Sequence, residues 1–287
     1  MFPTEFQYFA PTSVAEAISL LQQHGDEAKI LAGGHSLLPA MKLRLAQPGV
    51  LVDIGKIAEL KGVTVNGGVS IGALTTYRML EESAELRAAC PVIVDTVAVI
   101  GDAQVRNRGT IGGSLAHSDP AADLPAVILA LGATLSVQGP NGTRDISADD
   151  MFIEMLTTAL EPNEVLTKIS VPSIGKGAGA AYAKLVQPAS RYAIVGVAAY
   201  VKLDDGKVTA ARIAVTGAGP KATRQSAAEA ALVGSSGDDA AIAAASAASG
   251  DDMDYLGDIH ASEEYRRAMV KVYTRRALTK ALESARG

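Results

Sequence analysis

The sequence predicts an α+β fold, and three observations carry that expectation. The first sixty or so residues alternate helical and strand periods, as in a small β-α-β unit. Further on, glycine-containing turns separate short alternating apolar runs, the pattern of antiparallel hairpins. The chain then closes on alanine-rich stretches and one long helical pattern.

In the order of the chain, Ser13-Val14-Ala15-Glu16 is a capping-box pattern opening a helix with Val14, Ala17, Ile18 and Leu21 on one face, ended by Gly25. A strand is expected at Lys29–Ala32, a helix at about Leu38–Ala46 and a strand at Val50–Ile54. Val63–Val65 and Val69–Ile71 flank Asn66-Gly67-Gly68, a hairpin signal. One helix is expected over Thr75–Ala89, another over Pro91–Ile100, and a loop over Gly101–Gly109 carrying Arg106 and Arg108. Asp119-Pro120 reads as cap and first residue of a helix reaching Leu131. A second hairpin joins Thr134–Val137 to Thr143–Ile146 through Gly139-Pro140-Asn141-Gly142, and Val165–Val171 is a strand closed by Pro172. The glycine-rich stretch 173–179 predicts a domain boundary, giving 1–175 (subdomains about 1–57 and 58–175) and 176–287. Beyond it, strands are expected at Ala180–Val186, Ala193–Leu203 and Val208–Thr216. Helices follow at about Ala222–Val233, Asp239–Ala248 and Ser262–Ala285.

Composition narrows the function. With 48% hydrophobic residues, 20% charged residues and a net charge of −5, the chain reads as globular, with no basic surplus for nucleic acid. No apolar run reaches membrane-spanning length, and Met1-Phe2-Pro3-Thr4-Glu5 does not read as a signal peptide, so a cytoplasmic location is expected. Cys90 is the single cysteine, which leaves no internal disulfide and no way to hold a four-cysteine iron–sulfur cluster. His24, His35, His117 and His260 form no zinc-type pair, and no G-x-S-x-G elbow is present. The acidic loop Asp251–Asp258 lacks EF-hand spacing.

Two glycine pairs stand out. Ala32-Gly33-Gly34-His35-Ser36-Leu37 lies between a strand and a helix, where backbone N–H groups can form an anion-binding concavity and Ser36 can cap the helix or meet a phosphate. Thr110-Ile111-Gly112-Gly113-Ser114 again mixes glycines with hydroxyls ahead of a helix. Neither fits a P-loop or a dinucleotide fingerprint. Two such cradles can grip the two ends of one pyrophosphate.

In this order and at this separation, the two motifs resemble those of the FAD-binding medium subunit of the molybdenum hydroxylases, of the aerobic carbon monoxide dehydrogenase type. The resemblance runs from Phe6 to the last helix. It implies a two-subdomain FAD-binding region of the PCMH type, followed by a C-terminal antiparallel sheet with helices. It implies that the residues from Ala32 to Leu37 and from Thr110 to Ser114 hold FAD. Asp123 matches an aspartate that binds the flavin nucleotide, although spacing alone makes Asp119 and Asp123 helix-capping residues. Lys184 matches a lysine near the ring, Tyr192 a residue packing beside it, and Leu166 a residue abutting it. On the residues alone these three read as a solvated strand edge, a strand-edge aromatic and core packing. His35 is read as a hydrogen-bonding residue and His117 as a packing or phosphate-side residue, and no catalytic base is assigned.

The resemblance further implies partner chains, an iron–sulfur small subunit and a molybdenum large subunit, assembled as a dimer of heterotrimers. The iron–sulfur clusters and the molybdenum cofactor lie in those chains. A quinone is the favoured electron acceptor, with association to the inner membrane face through the complex. Carbon monoxide leads the substrates, beside purines, aldehydes and N-heterocycles. A self-contained FAD-dependent oxidase and a non-redox nucleotide-binding subunit are the alternatives. For Arg106 and Arg108, phosphate neutralisation and partner contact both stay open.

Overall fold

The computed structural model describes residues 2–287. A first unit is a three-stranded parallel sheet of β1 (Gln7–Phe9), β2 (Ala28–Leu31) and β3 (Val50–Asp53), in the order β1-β3-β2. Helix α1 (Val14–His24) buries the expected face of Val14, Ala17, Ile18 and Leu21 against β3. Its Ser13 side chain accepts from the Glu16 N–H, while the Glu16 carboxylate reaches back to the Thr12 N–H. Helix α2 (Leu37–Lys42) links β2 to β3 and is shorter than its apolar pattern suggests. Strand β1 was not foreseen, since three residues are too few to display a period.

The second unit is a five-stranded antiparallel sheet, in the order β4-β5-β10-β6-β7. The expected hairpins are present as β4 (Val63–Val65) with β5 (Val69–Gly72), and β6 (Thr134–Gly139) with β7 (Gly142–Ser147). The central strand β10 (Val165–Val171) joins them. Between β5 and β6 run α3 (Tyr77–Glu82), α4 (Ala84–Ala89), α5 (Pro91–Ala98), α6 (Ala103–Arg108), α7 (Ile111–His117) and α8 (Leu124–Leu131). The eight residues of α8 are all buried. Short elements α9 (Ala148–Met151), β8 (Phe152–Glu154) and β9 (Thr157–Thr158) follow β7.

Three expectations here are corrected. The single helix over Thr75–Ala89 is two, because Ser83 leaves the helical conformation and its hydroxyl accepts from the Leu86 N–H to start α4. The loop over Gly101–Gly109 contains α6: Asp102 caps it at the Val105 N–H, and Arg106 pins it to Glu81 at 3.0 Å and to the Ile100 carbonyl. The helix expected from Asp119 begins only at Leu124. Asp119 instead closes a turn by accepting from the Ala121 N–H. Carbonyls of Pro120 and Ala122 accept from the Thr216 hydroxyl, and the Ala121 carbonyl accepts from the Ala193 N–H. A segment whose carbonyls bond the neighbouring sheet cannot also turn helical.

That neighbouring sheet is antiparallel, in the order β11-β12-β13-β14, with β11 (Ala178–Val186), β12 (Ala193–Asp204), β13 (Lys207–Thr216) and β14 (Thr223–Arg224). Helices α10 (Ser226–Leu232), α11 (Asp239–Ala248) and α12 (Glu263–Arg286) cover one face. The other face packs on the core that contains α8. Strand β12 shows why both faces are dry: Val195, Val197, Ala199 and Val201 point to α12, while Ala198 points to α8. Close approach is enforced at Gly179, where any Cβ would overlap the Ala281 carbonyl of α12. Arg212 of β13 donates to the Leu129 carbonyl at the end of α8 and pairs with Asp149 at 2.7 Å, stapling sheet to helix.

Acid sensitivity follows from the paired carboxylates. The Arg144 guanidinium grips Glu164 through Nε and Nη2 at 2.6 and 2.7 Å and holds its carboxyl below the usual carboxylate range. Burial would raise Asp149, but Arg212 and Arg224 outweigh it and hold that carboxyl low as well. With folded-state values below unfolded ones, this stabilisation is present above the ordinary carboxylate range and is lost as pH falls through the lower folded values. Glu164→Gln should cost about 1 kcal/mol at neutral pH and should flatten acid unfolding below about pH 4. Urea denaturation across pH checks this, and identical acid profiles for the two proteins would refute it.

Candidate functional site: two glycine motifs closed by a buried ion pair

The first motif leaves β2 through Ala32 and turns at Gly34, whose φ of +76° is open to glycine and strained for other residues. Gly33 packs so closely that an added Cβ would overlap the carbonyl oxygen of Arg108, just ahead of the second motif. Among the described residues, no acceptor meets the backbone N–H of Gly33, Gly34, His35, Ser36 or Leu37. Ser36 sits at the N-cap of α2, yet its side chain makes no cap bond. The result is a run of unused donors beside a hydroxyl that caps no helix. His35 is exposed and its Nδ1 lies 3.3 Å from the Gly33 carbonyl, a local bond with no proton-transfer partner.

The second motif is built differently. Thr110 caps α7, and its Oγ1 accepts from the Gly113 N–H at 3.1 Å. Ile111 N–H donates to the Thr75 carbonyl, Gly112 N–H to the Ala73 carbonyl and Ser114 N–H to the Thr110 carbonyl. Gly112 is needed for packing, because an added Cβ would stand 2.6 Å from that of Ala73. The matched cradles expected from the sequence are therefore unequal. The first offers main-chain donors, and the second offers side-chain hydroxyls on a tightly seated turn. Ser114 faces the phenol of Tyr77, which burial pushes up to about 12.

Asp123 completes the arrangement from the N-terminal end of α8. Its side chain makes no helix-cap bond. Instead Oδ2 accepts from Lys184 Nζ at 2.8 Å and Oδ1 from the Tyr182 hydroxyl at 2.5 Å. The Lys184 and Asp123 side chains are 4% and 5% exposed, so this is a buried pair and not the solvated edge that lysine in a strand suggests. Burial raises the Asp123 carboxyl above its ordinary range, against the pull of Lys184 and Tyr182. Tyr192 follows at the start of β12. The residue is 44% exposed, with its hydroxyl end facing Ser36 and close enough to Asp119 and Asp123 to feel both. Burial first, then those two carboxylates, push the phenol up.

Thus the structure brings Ser36, Ser114, Asp123, Lys184 and Tyr192 together. Leu166 lies on β10 inside the main core at 6% exposure, the packing role open to it from sequence. Arg106 is spent on Glu81 and the Ile100 carbonyl, while Arg108 is exposed. Tyr77 and Tyr182 were not singled out from sequence. Tyr182 shares a strand face with Lys184 two residues on, which is the only signal a linear reading holds.

Lys184→Met should strip Asp123 of its cation and cost about 3–5 kcal/mol at neutral pH. Because Asp123 then titrates higher still in the folded state, the loss should shrink in acid, where the carboxyl is protonated, and grow as pH rises through the folded value. Asp123→Asn added to Lys184→Met should recover most of the stability. Urea midpoints at two pH values decide this, and a Lys184→Met protein as stable as the parent would contradict it.

Comparison with known proteins gives one answer along the whole chain. Residues 4–174 match the family model described as the FAD binding domain in molybdopterin dehydrogenase, and residues 180–281 match the CO dehydrogenase flavoprotein C-terminal domain. The carbon monoxide dehydrogenase medium chain of Hydrogenophaga pseudoflava is 42% identical, covering 98% of each chain. Subunit alpha of the 6-hydroxypseudooxynicotine dehydrogenase complex of Paenarthrobacter nicotinovorans is 38% identical over 100% of this chain and 97% of its own. Among solved structures, a carbon monoxide dehydrogenase from Hydrogenophaga pseudoflava superposes with a TM-score of 0.96 at 43% identity, covering 99% of both chains. The chain belongs to the FAD-binding medium chains of carbon monoxide dehydrogenase-type molybdenum hydroxylases.

Proposed function

We propose that this chain holds FAD at the glycine motifs, takes electrons from iron–sulfur clusters of a partner chain and passes them to an external acceptor. The observation that carries the reading is the run of five unused N–H groups at Gly33–Leu37, next to the Ser36 hydroxyl and the half-exposed ring of Tyr192. Successive unpaired amides suit a diphosphate, because each donates to an oxygen without losing an internal bond. Ser36 and Ser114 would add hydroxyl donors, and Tyr192 would lie beside the ring system. Lys184 would contribute little net charge there, since Asp123 already neutralises it at 2.8 Å. The residues present therefore fit the group that the family carries. Bound FAD supplies chemistry that accepts electrons singly or in pairs. The chain's own task is to bind and orient it and to limit water around it.

Nothing in the cluster is arranged as a base for a substrate of its own. The thiol of Cys90 is buried and pushed up to about 12, so it is neither a ligand nor a nucleophile at neutral pH. Among the described residues no group of three His, Cys, Asp or Glu side chains is placed to hold a metal ion. An iron–sulfur small subunit and a molybdenum large subunit would supply the remaining centres, in a dimer of heterotrimers, with a quinone as acceptor. The relatives' names span carbon monoxide, nicotine, glyceraldehyde and caffeine, which supports a medium chain that leaves substrate choice to another subunit. Among the described residues no helix is long and apolar enough to cross a membrane, so any membrane association would run through the complex.

The purified chain should release FAD on denaturation. Ser36→Ala should weaken FAD binding about tenfold to 150-fold, the worth of a hydrogen bond to a charged group, and leave thermal stability of the flavin-free chain unchanged. Co-expression with the two partner subunits should give one peak containing iron, molybdenum and flavin. A free, flavin-loaded chain that turns over a substrate by itself would replace this reading with that of an oxidase.

A further inference from the structure

The C-terminal sheet ends on β11, and among the described residues no strand lies along the outer edge of its nine residues. A groove of about 610 Å³ opens there, floored by Tyr182, Ala183, Lys184 and Val186 and walled by α5 and α12. Solvent reaches the main chain of this floor at Lys184. The Lys184 side chain is only 4% exposed, yet the residue as a whole is half-buried, so its remaining exposure is backbone. Open edge strands invite pairing with another chain, and proteins usually blunt them with proline, outward lysine or a covering element. Here the nine residues of β11 contain no proline, and their one lysine is turned inward onto Asp123.

The rim carries the second observation. Arg191, Arg275, Arg276 and Lys280 line the groove, and none has a carboxylate partner among the described residues. Of the two acids there, Asp95 is already engaged by Arg87 at 3.1 Å. Arg276 is held in place by stacking over the Tyr273 ring, 4.6 Å from its centroid. On a chain with a net charge of −5, this is a local surplus of cations around exposed backbone donors and acceptors.

We propose that the groove receives an extended acidic segment of a partner subunit, which adds as a fifth strand to β11 while its carboxylates meet Arg191, Arg275 and Lys280. Main-chain pairing supplies affinity in this mode, and the flanking charges supply selectivity. The proposal rests on the multi-subunit reading above. It adds where one partner docks and what chemistry that partner's segment must have.

The test uses the whole chain co-expressed with its partner subunits. In the wild-type complex, alternate amides within 181–186 should exchange with deuterium at least tenfold more slowly than in the free chain. Arg275→Glu with Lys280→Glu changes two exposed side chains, so folding is not at risk. It should weaken assembly at least tenfold and return those amides to free-chain exchange. Lys207→Glu, a charge reversal at a distant hairpin tip, should leave both unchanged. Equal exchange at 181–186 in free chain and wild-type complex, or normal assembly of the double variant, would overturn the docking site while the functional reading stands. Failure of the wild-type chain to assemble with any partner would overturn both.

Discussion

The buried pair of Asp123 and Lys184 is the contact on which the rest of the site depends. Two charges removed from water must face each other closely, because neither has another charged partner to offset its desolvation. That requirement fixes the N-terminal end of α8 against β11, and the Tyr182 hydroxyl occupies the other carboxylate oxygen. Once β11 is fixed, so is the loop after it, which carries Tyr192 toward Ser36 of the first motif. The pair is worth more as a register device than as net stability, since replacing such a pair by apolar residues is often neutral. Its placement joins the part of the chain that bears both glycine motifs to the part that bears the aromatic ring.

The two motifs look alike in sequence and divide the work in three dimensions. At Gly33 and Gly34 the glycines free a turn to present unused N–H groups. At Gly112 the glycine lets α7 seat against Ala73, and the N–H groups of that turn are consumed by Thr75, Ala73 and Thr110. An added Cβ at Gly33 would overlap Arg108, so the first motif is pressed onto the segment that leads into the second. Damage at Gly33 would therefore not stay local, whereas a change at Ser36, whose hydroxyl lies outside any cap bond, would test the proposed ligand contact with less structural noise.

Much of the fold was legible because strong local signals agreed with one another. The apolar face of α1, the two hairpin turns, the bounds of α11 and the length of α12 all follow from period and punctuation. Elements fixed by distant contacts were not legible. Helix α6 depends on Glu81 gripping Arg106, and the late start of α8 depends on Thr216, far along the chain, bonding the carbonyls of Pro120 and Ala122. Strands β1, β9 and β14 are two or three residues long and have no period to read. For the site, the motif residues could be named from sequence. The partnership of Asp123 with Tyr182 and Lys184 could not, since about sixty residues separate them and no local pattern links them.

The central claim is that the first glycine motif supplies the main-chain donors for the dinucleotide and the second does not. Amide nitrogen–proton correlation spectra of the isotopically labelled chain, recorded during titration with FAD, address it directly. Large downfield shifts are expected at Gly33, Gly34, His35, Ser36 and Leu37 as their free N–H groups gain acceptors. Small shifts are expected at Ile111, Gly112, Gly113 and Ser114, whose bonds are already made. Shifts of equal size at both motifs, or shifts confined to the second, would contradict it.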